Sequence, residues 1–94
     1  MYKINLQQIE YFLAVAEKLN FTEAARSLYI SQPSLSKQIS LLEEELGFRL
    51  FIRNKRMVRL TPAGEVLNRR WRQSFTELEL SVEAAGKANA SYEG

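Results

Sequence analysis

The chain has 94 residues, of which 46% are hydrophobic and 11% aromatic, enough for one modest core and too few for a second domain. It contains no cysteine and no histidine, which removes disulfides, thiolate nucleophiles, cysteine-zinc sites and the commonest general base, and with them most enzyme classes. The net charge of +2 hides a division: residues 49–72 hold Arg49, Arg53, Lys55, Arg56, Arg59, Arg69, Arg70 and Arg72 against Glu65 alone, a local +7, while residues 1–48 carry −2 and residues 73–94 carry −3.

A concentrated positive patch seeks a polyanion, and seven of its eight basic residues are arginine, whose planar fork suits phosphate and guanine edges. The competing reading is a solvated face that only keeps the domain soluble. No basic-then-apolar leader opens the sequence, and no apolar run approaches the roughly 18 residues of a bilayer span, so the sequence reads as cytoplasmic with no membrane partner.

Leu6, Ile9, Phe12, Leu13, Ala16 and Leu19 recur at three- and four-residue steps, which predicts an amphipathic first helix over 6–19. Thr22 is the expected N-cap of a short second helix that runs to Leu28, where Ala24 and Ala25 admit a close neighbour. Tyr29-Ile30 leads to a third helix capped by Ser31, with Pro33 in its first turn. Leu35, Ile39, Leu42 and Leu46 form the apolar side of that helix, Gln32, Ser36, Lys37 and Ser40 the opposite side, and Gly47 its stop. Glu43-Glu44-Glu45 reads as a solvated stretch of the same helix.

Beyond Gly47 the period changes. Leu50-Phe51-Ile52 and Met57-Val58-Arg59-Leu60 are β-prone runs separated by Arg53-Asn54-Lys55-Arg56, which predicts a hairpin with a basic tip. Thr61-Pro62 then starts a fourth helix expected to end near Ala85, slightly weakened by Gly64. At about 1.5 Å per residue this helix extends roughly 36 Å, more than a small domain covers, so Trp71, Phe75, Leu78 and Val82 are expected to face water in a monomer. Leu67, Trp71, Phe75, Leu78 and Val82 step by fours and threes, close to a heptad seam, and predict a two-fold homodimer, with the early turns also closing the core. Residues 87–94 are small and polar and read as a flexible tail.

Two helices joined by a tight turn, the latter opening in small polar residues, fit a helix-turn-helix spanning Thr22 to Leu46, whose recognition helix enters the major groove. Ser31, Gln32, Ser34, Ser36 and Lys37 crowd the start of that helix, where free amides and the positive dipole end favour phosphate. Gln32 suits an adenine edge, Lys37 a guanine edge or phosphate, and Pro33 a thymine methyl. The plainer alternative makes Ser31 a cap and the others ordinary surface. A basic hairpin directly after a recognition helix makes a winged module able to push Arg53, Lys55 or Arg56 into the neighbouring minor groove.

With these residues in view, Leu6-Gln7-Gln8-Ile9-Glu10-Tyr11-Phe12, Phe21-Thr22-Glu23-Ala24-Ala25, Ser31-Gln32-Pro33-Ser34-Leu35-Ser36-Lys37-Gln38-Ile39, Leu42-Glu43-Glu44-Glu45-Leu46-Gly47 and Leu60-Thr61-Pro62-Ala63-Gly64 resemble the signature of the N-terminal DNA-binding domain of bacterial LysR-type transcriptional regulators. The resemblance runs from Leu6 to about Ala85 in the family's order. It implies a winged helix-turn-helix with a long linker helix, whose antiparallel pairing makes a dimer that reads an interrupted inverted repeat in double-stranded DNA. It also implies DNA contacts at Gln32, Pro33, Ser34, Ser36 and Lys37 on the recognition helix and at Arg53 and Arg56 on the wing; relatives often carry arginine where Lys37 stands. Full-length members add a C-terminal effector-sensing domain, so the resemblance implies an excised DNA-binding piece with no small-molecule site of its own.

These readings together predict a mainly α fold with a small β-hairpin, divided into a winged helix-turn-helix at 1–61, a linker dimerisation helix at 62–86 and a flexible tail at 87–94. The predicted function is transcription regulation without catalysis, cofactor or metal. The alternative is a protein-interaction module that docks through the long helix and binds nucleic acid without sequence preference.

Overall fold

The helix boundaries follow from who satisfies the free amides and carbonyls at each end. The computed structural model describes residues 2–93, arranged as α1 (Leu6–Lys18), α2 (Phe21–Leu28), α3 (Gln32–Leu46), β1 (Phe51–Arg53), β2 (Val58–Leu60) and α4 (Pro62–Glu93). A reciprocal capping box opens α1: the Gln8 N–H donates to Asn5 Oδ1 at 2.8 Å, and the Asn5 N–H donates to Gln8 Oε1 at 3.2 Å. Asn20, not Thr22, caps α2, its Oδ1 accepting the Glu23 N–H at 2.8 Å. An asparagine two residues upstream of the expected cap starts the helix early enough for Phe21 to be its first, buried residue, and Thr22 is left exposed in the first turn. Ser31 caps α3 as expected, and Gly47 ends it at φ +84°, a conformation that glycine adopts without strain.

The core gathers around Phe12 on α1. Its ring lies 5.4 Å from Phe51 on β1 and 5.6 Å, edge to face, from Trp71 on α4, while Phe21 on α2 meets Phe51 at 5.8 Å. Leu35, Ile39 and Leu42 bring the apolar side of α3 into the same cluster, together with Val15, Ala24, Ala25 and Leu50. Leu6 and Leu19, expected in the core, are exposed at the two ends of α1, and Val15 takes a buried place between them, because α1 packs against α2, α3 and α4 through its middle turns.

The two strands form an antiparallel pair with Phe51 opposite Leu60, Ile52 opposite Arg59 and Arg53 opposite Val58; the first is shifted by one residue from the expected run, and the second lacks only Met57 of its run. Asn54 builds the tip, its Oδ1 accepting the N–H groups of Arg56 at 2.8 Å and Met57 at 2.9 Å.

Where the hairpin returns to α4, Thr61 ties three segments together. Its Oγ1 donates to the Arg49 carbonyl at 2.8 Å and accepts the Gly64 N–H at 2.9 Å, while its N–H donates to the Leu50 carbonyl at 3.0 Å. Gly64 is buried, and a Cβ there would collide with the Leu50 carbonyl oxygen and press on Leu60 Cδ2 at 3.0 Å. It is a close-approach residue, not merely a weak point in the helix. Beyond it, Leu67, Trp71 and Phe75 pack on the core within the single chain. That corrects the expectation that Trp71 and Phe75 face water. Leu78 and Val82 do face water, at 47% and 73% exposure.

The fourth helix has 32 residues, about 48 Å at 1.5 Å per residue, and dominates a molecule of 56 × 29 × 20 Å. It runs through the stretch expected to be a flexible tail, because Lys87, Ala88 and Ala90 are good helix formers and no proline interrupts them; Gly94 lies outside the described residues. No helix among the described residues is long and apolar enough to cross a membrane. We expect Gly64→Ala to lower the unfolding free energy by about 2–3 kcal/mol through the clash with Leu50, measured as a fall in the urea midpoint; an unchanged midpoint would show that α4 can move off the hairpin at no cost.

Candidate nucleic-acid interface

The surface that the sequence singles out is carried by three neighbouring pieces: the start of α2, the first half of α3 and the hairpin. On α3, Leu35, Ile39 and Leu42 turn inward, and helical geometry therefore turns Pro33, Lys37 and Ser40 outward; Gln32 lies on the side of Leu35 and Ile39 but is exposed because it opens the helix, and Ser36 is half-buried at the edge. Ser31 donates its hydroxyl proton to Ser34 Oγ at 2.8 Å and accepts the Ser34 N–H at 3.2 Å, so this pair closes the cap while both residues remain exposed. One turn on, Gln32 Nε2 donates to Ser36 Oγ at 2.8 Å.

The basic candidates divide. Lys55 and Arg56 stand exposed on the hairpin tip, and Lys37 is exposed on α3. The salt bridges among the described residues, Arg26 to Glu23 and Arg49 to Glu43, leave all three uncommitted. Arg53 is different. It lies on β1 rather than at the tip, half-buried, with its guanidinium carbon 4.2 Å from the centroid of the Phe21 ring and Nη1 donating to Ser36 Oγ at 3.3 Å. Thr22 follows Phe21 at the exposed start of α2. Thus Gln32, Ser36 and Arg53 meet in one network, whereas Lys55 and Arg56 project beyond it. The dimerisation candidates also divide, into Leu67, Trp71 and Phe75 on the core and Leu78 and Val82 past its edge.

Two residues stand differently from what their type suggests. Tyr29, at the left-handed end of α2 with φ +59°, is 95% exposed in the turn between the two helices. Glu43, which reads as part of a solvated acidic run, is buried at 6% exposure. Its Oε2 accepts the N–H groups of Leu50 at 2.7 Å and Phe51 at 3.2 Å, and Arg49 Nε approaches it at 3.4 Å. The carboxylate therefore fixes where the hairpin leaves α3. Its only advance signal is position: Glu43 follows Leu42 and lies four residues beyond Ile39, so it borders the inward stripe, unlike Glu44 and Glu45.

A helix-turn-helix flanked by an antiparallel basic hairpin defines a winged helix-turn-helix protein. Residues 6–65 match the family model described as bacterial regulatory helix-turn-helix protein, lysR family. The chain is 42% identical over 91 residues to the HTH-type transcriptional regulator AlsR of Bacillus subtilis and 43% identical over 93 residues to XapR of Escherichia coli, alignments that take in 97% and 96% of this chain but 30% and 32% of those proteins. The structure superposes on the BenM domain in its complex with benA site 1 DNA with a TM-score of 0.88 and 38% identity, over 90% of this chain and 96% of that one. The chain belongs to the LysR family of bacterial regulatory helix-turn-helix proteins, and it spans about a third of the length of these full regulators.

Removing the Glu43 carboxylate strands two buried amides. Glu43→Ala is expected to cost about 3 kcal/mol of stability and Glu43→Gln, which keeps a carbonyl acceptor, clearly less, as read from chemical denaturation. Equal losses for the two variants would mean that the hydrogen bonds do not hold the junction.

Proposed function

We propose that this chain binds double-stranded DNA sequence-specifically as a homodimer and acts in transcription regulation in the bacterial cytoplasm, by binding alone and without catalysis or cofactor. The observation that carries the reading is the exposed start of α3, with Gln32, Pro33 and Lys37 beside a hairpin whose Lys55 and Arg56 have no salt-bridge partner among the described residues. An α-helix fits the major groove, and a basic hairpin beside it reaches the adjacent backbone or minor groove. The likeness to a domain seen on its DNA site supports the same reading. In this proposal residues 1–61 hold the DNA, with Thr22, Ser31 and Ser34 toward phosphate and Gln32, Pro33, Ser36 and Lys37 toward base edges.

The stretch 62–86 serves as the dimerising linker. Leu78 and Val82 lie beyond the core and exposed, and Leu80 is exposed at 52%. Charge favours an antiparallel partner: Arg69, Arg70 and Arg72 precede Glu77, Glu79 and Glu83, so antiparallel pairing sets the basic half of each helix against the acidic half of the other. Two recognition helices related by a two-fold axis then read an interrupted inverted repeat.

Four to six phosphate contacts per subunit imply that log affinity falls against log salt with a slope of roughly −7 to −11 for the dimer, measured by fluorescence anisotropy; a slope near zero would refute the polyanion contact. Lys37→Ala is expected to cost about 1–3 kcal/mol on the preferred duplex and little of the preference elsewhere, whereas Arg56→Ala should weaken binding most where A/T-rich flanks narrow the minor groove. Light scattering at micromolar concentration should show a dimer that the double variant Leu78→Asp, Val82→Asp turns into a monomer. A monomeric parent chain would overturn the seam.

A further inference from the structure

The guanidinium of Arg53 touches two different helices from the hairpin, and neither contact is with solvent. Strand alternation sets this up: Phe51 faces the core, so Arg53, two residues on, shares the inward face, while Ile52 and its partner Arg59 face out. Inward, the guanidinium lies over Phe21, the first residue of α2, and hydrogen-bonds Ser36, half-buried in the first half of α3. Phe21 is itself fixed edge to face on Phe51.

Ser36 Oγ thus accepts from two donors, Gln32 Nε2 at 2.8 Å and Arg53 Nη1 at 3.3 Å. A hydroxyl has two acceptor lone pairs and one proton, so with both lone pairs taken Ser36 can only donate outward. Gln32 is held by the same contact, with its Oε1 and one N–H left free, the pair that a bidentate adenine contact uses. Lysine could not replace the arginine in this role, since its ammonium lacks the planar face that lies on Phe21 while a second edge reaches Ser36.

We propose that Arg53 is a positioning residue for base reading: seated on Phe21, it locks Ser36 as a donor and holds Gln32 in one orientation, so that the hairpin sets the sequence preference of α3 from behind. This deepens the DNA-binding function proposed above and rests on it. It differs from a contact between Arg53 and the DNA backbone in what is lost on substitution. A backbone contact carries charge and affects all sequences alike; a positioning role affects the choice of base and leaves the count of phosphate contacts unchanged.

The test is selection of duplexes from a random pool by the whole chain, by Arg53→Met, Arg53→Lys and Ser36→Ala, and by the double variant Ser36→Ala, Arg53→Met, with the salt slope and urea midpoint of each. Arg53→Met keeps a stem on Phe21, so it guards against loss of fold. We expect both Arg53 variants to relax the preference at the base pair facing Gln32 by about fivefold, Ser36→Ala to do the same, and the double variant to add nothing further, all with the parent's salt slope. A salt slope shallower by about one per subunit in Arg53→Met, full retention in Arg53→Lys and unchanged base preference would make Arg53 a phosphate contact and overturn the proposal. Additive losses in the double variant would also overturn it. A parent chain that selects no sequence at all would instead defeat the DNA-reading function itself, which separates the two failures.

Discussion

The relation between α3 and the hairpin depends on one buried carboxylate. After Gly47 the chain must reverse and cross the end of α3, and the amides of Leu50 and Phe51 enter the core before the hairpin ladder can pair them. Glu43 supplies their acceptor from the last turns of α3 itself, with both N–H groups converging on one oxygen and Arg49 beside it. A charged acceptor shared by two backbone donors is stronger than neutral pairing, and its loss would leave buried amides without partners. Phe51 then lies where it can meet both Phe12 and Phe21, so the aromatic cluster and the carboxylate determine the same geometry from opposite sides.

From that junction the order of the remaining parts follows. The Leu50 carbonyl accepts from Thr61, Gly64 passes against it without a side chain, and α4 is thereby launched across the hairpin with Leu67, Trp71 and Phe75 on the core. The recognition face, the basic tip and the start of the long helix are therefore parts of one body, and each is referenced to residues 43–64. Such stiffness sets the position of α3 relative to the hairpin within the single chain, so less ordering entropy is lost when that surface meets a partner.

Much of this was legible in the sequence because it rests on short-range rules. The recurrence of apolar residues located α1 and α3, start signals and small alanines located α2, Thr61-Pro62 opened α4, Ser31 and Gly47 bounded α3, and the change to β-prone runs after Gly47 announced the hairpin. What escaped were features set by tertiary neighbours. Asn20 displaced Thr22 as a cap because Phe21 had to be buried, Glu43 was drawn inward by amides seven and eight residues away, and Gly64 took its meaning from a carbonyl fourteen residues earlier. The charge of Arg53 suggests the tip, although the two-residue period counted from Phe51 turns it inward. The far end of α4 is hidden by its small polar composition, which suggests a flexible tail although nothing in the backbone stops the helix before Glu93.

Native-state hydrogen exchange at the amides of Leu50 and Phe51 tests whether α3 and the hairpin move as one unit through Glu43. If they do, both amides exchange as slowly as the buried core of α1 and α3, through opening of the whole domain. Exchange of these two amides at the rate of the exposed hairpin tip, with α3 still protected, would show a hairpin that hinges freely on the recognition helix and would contradict movement as one unit.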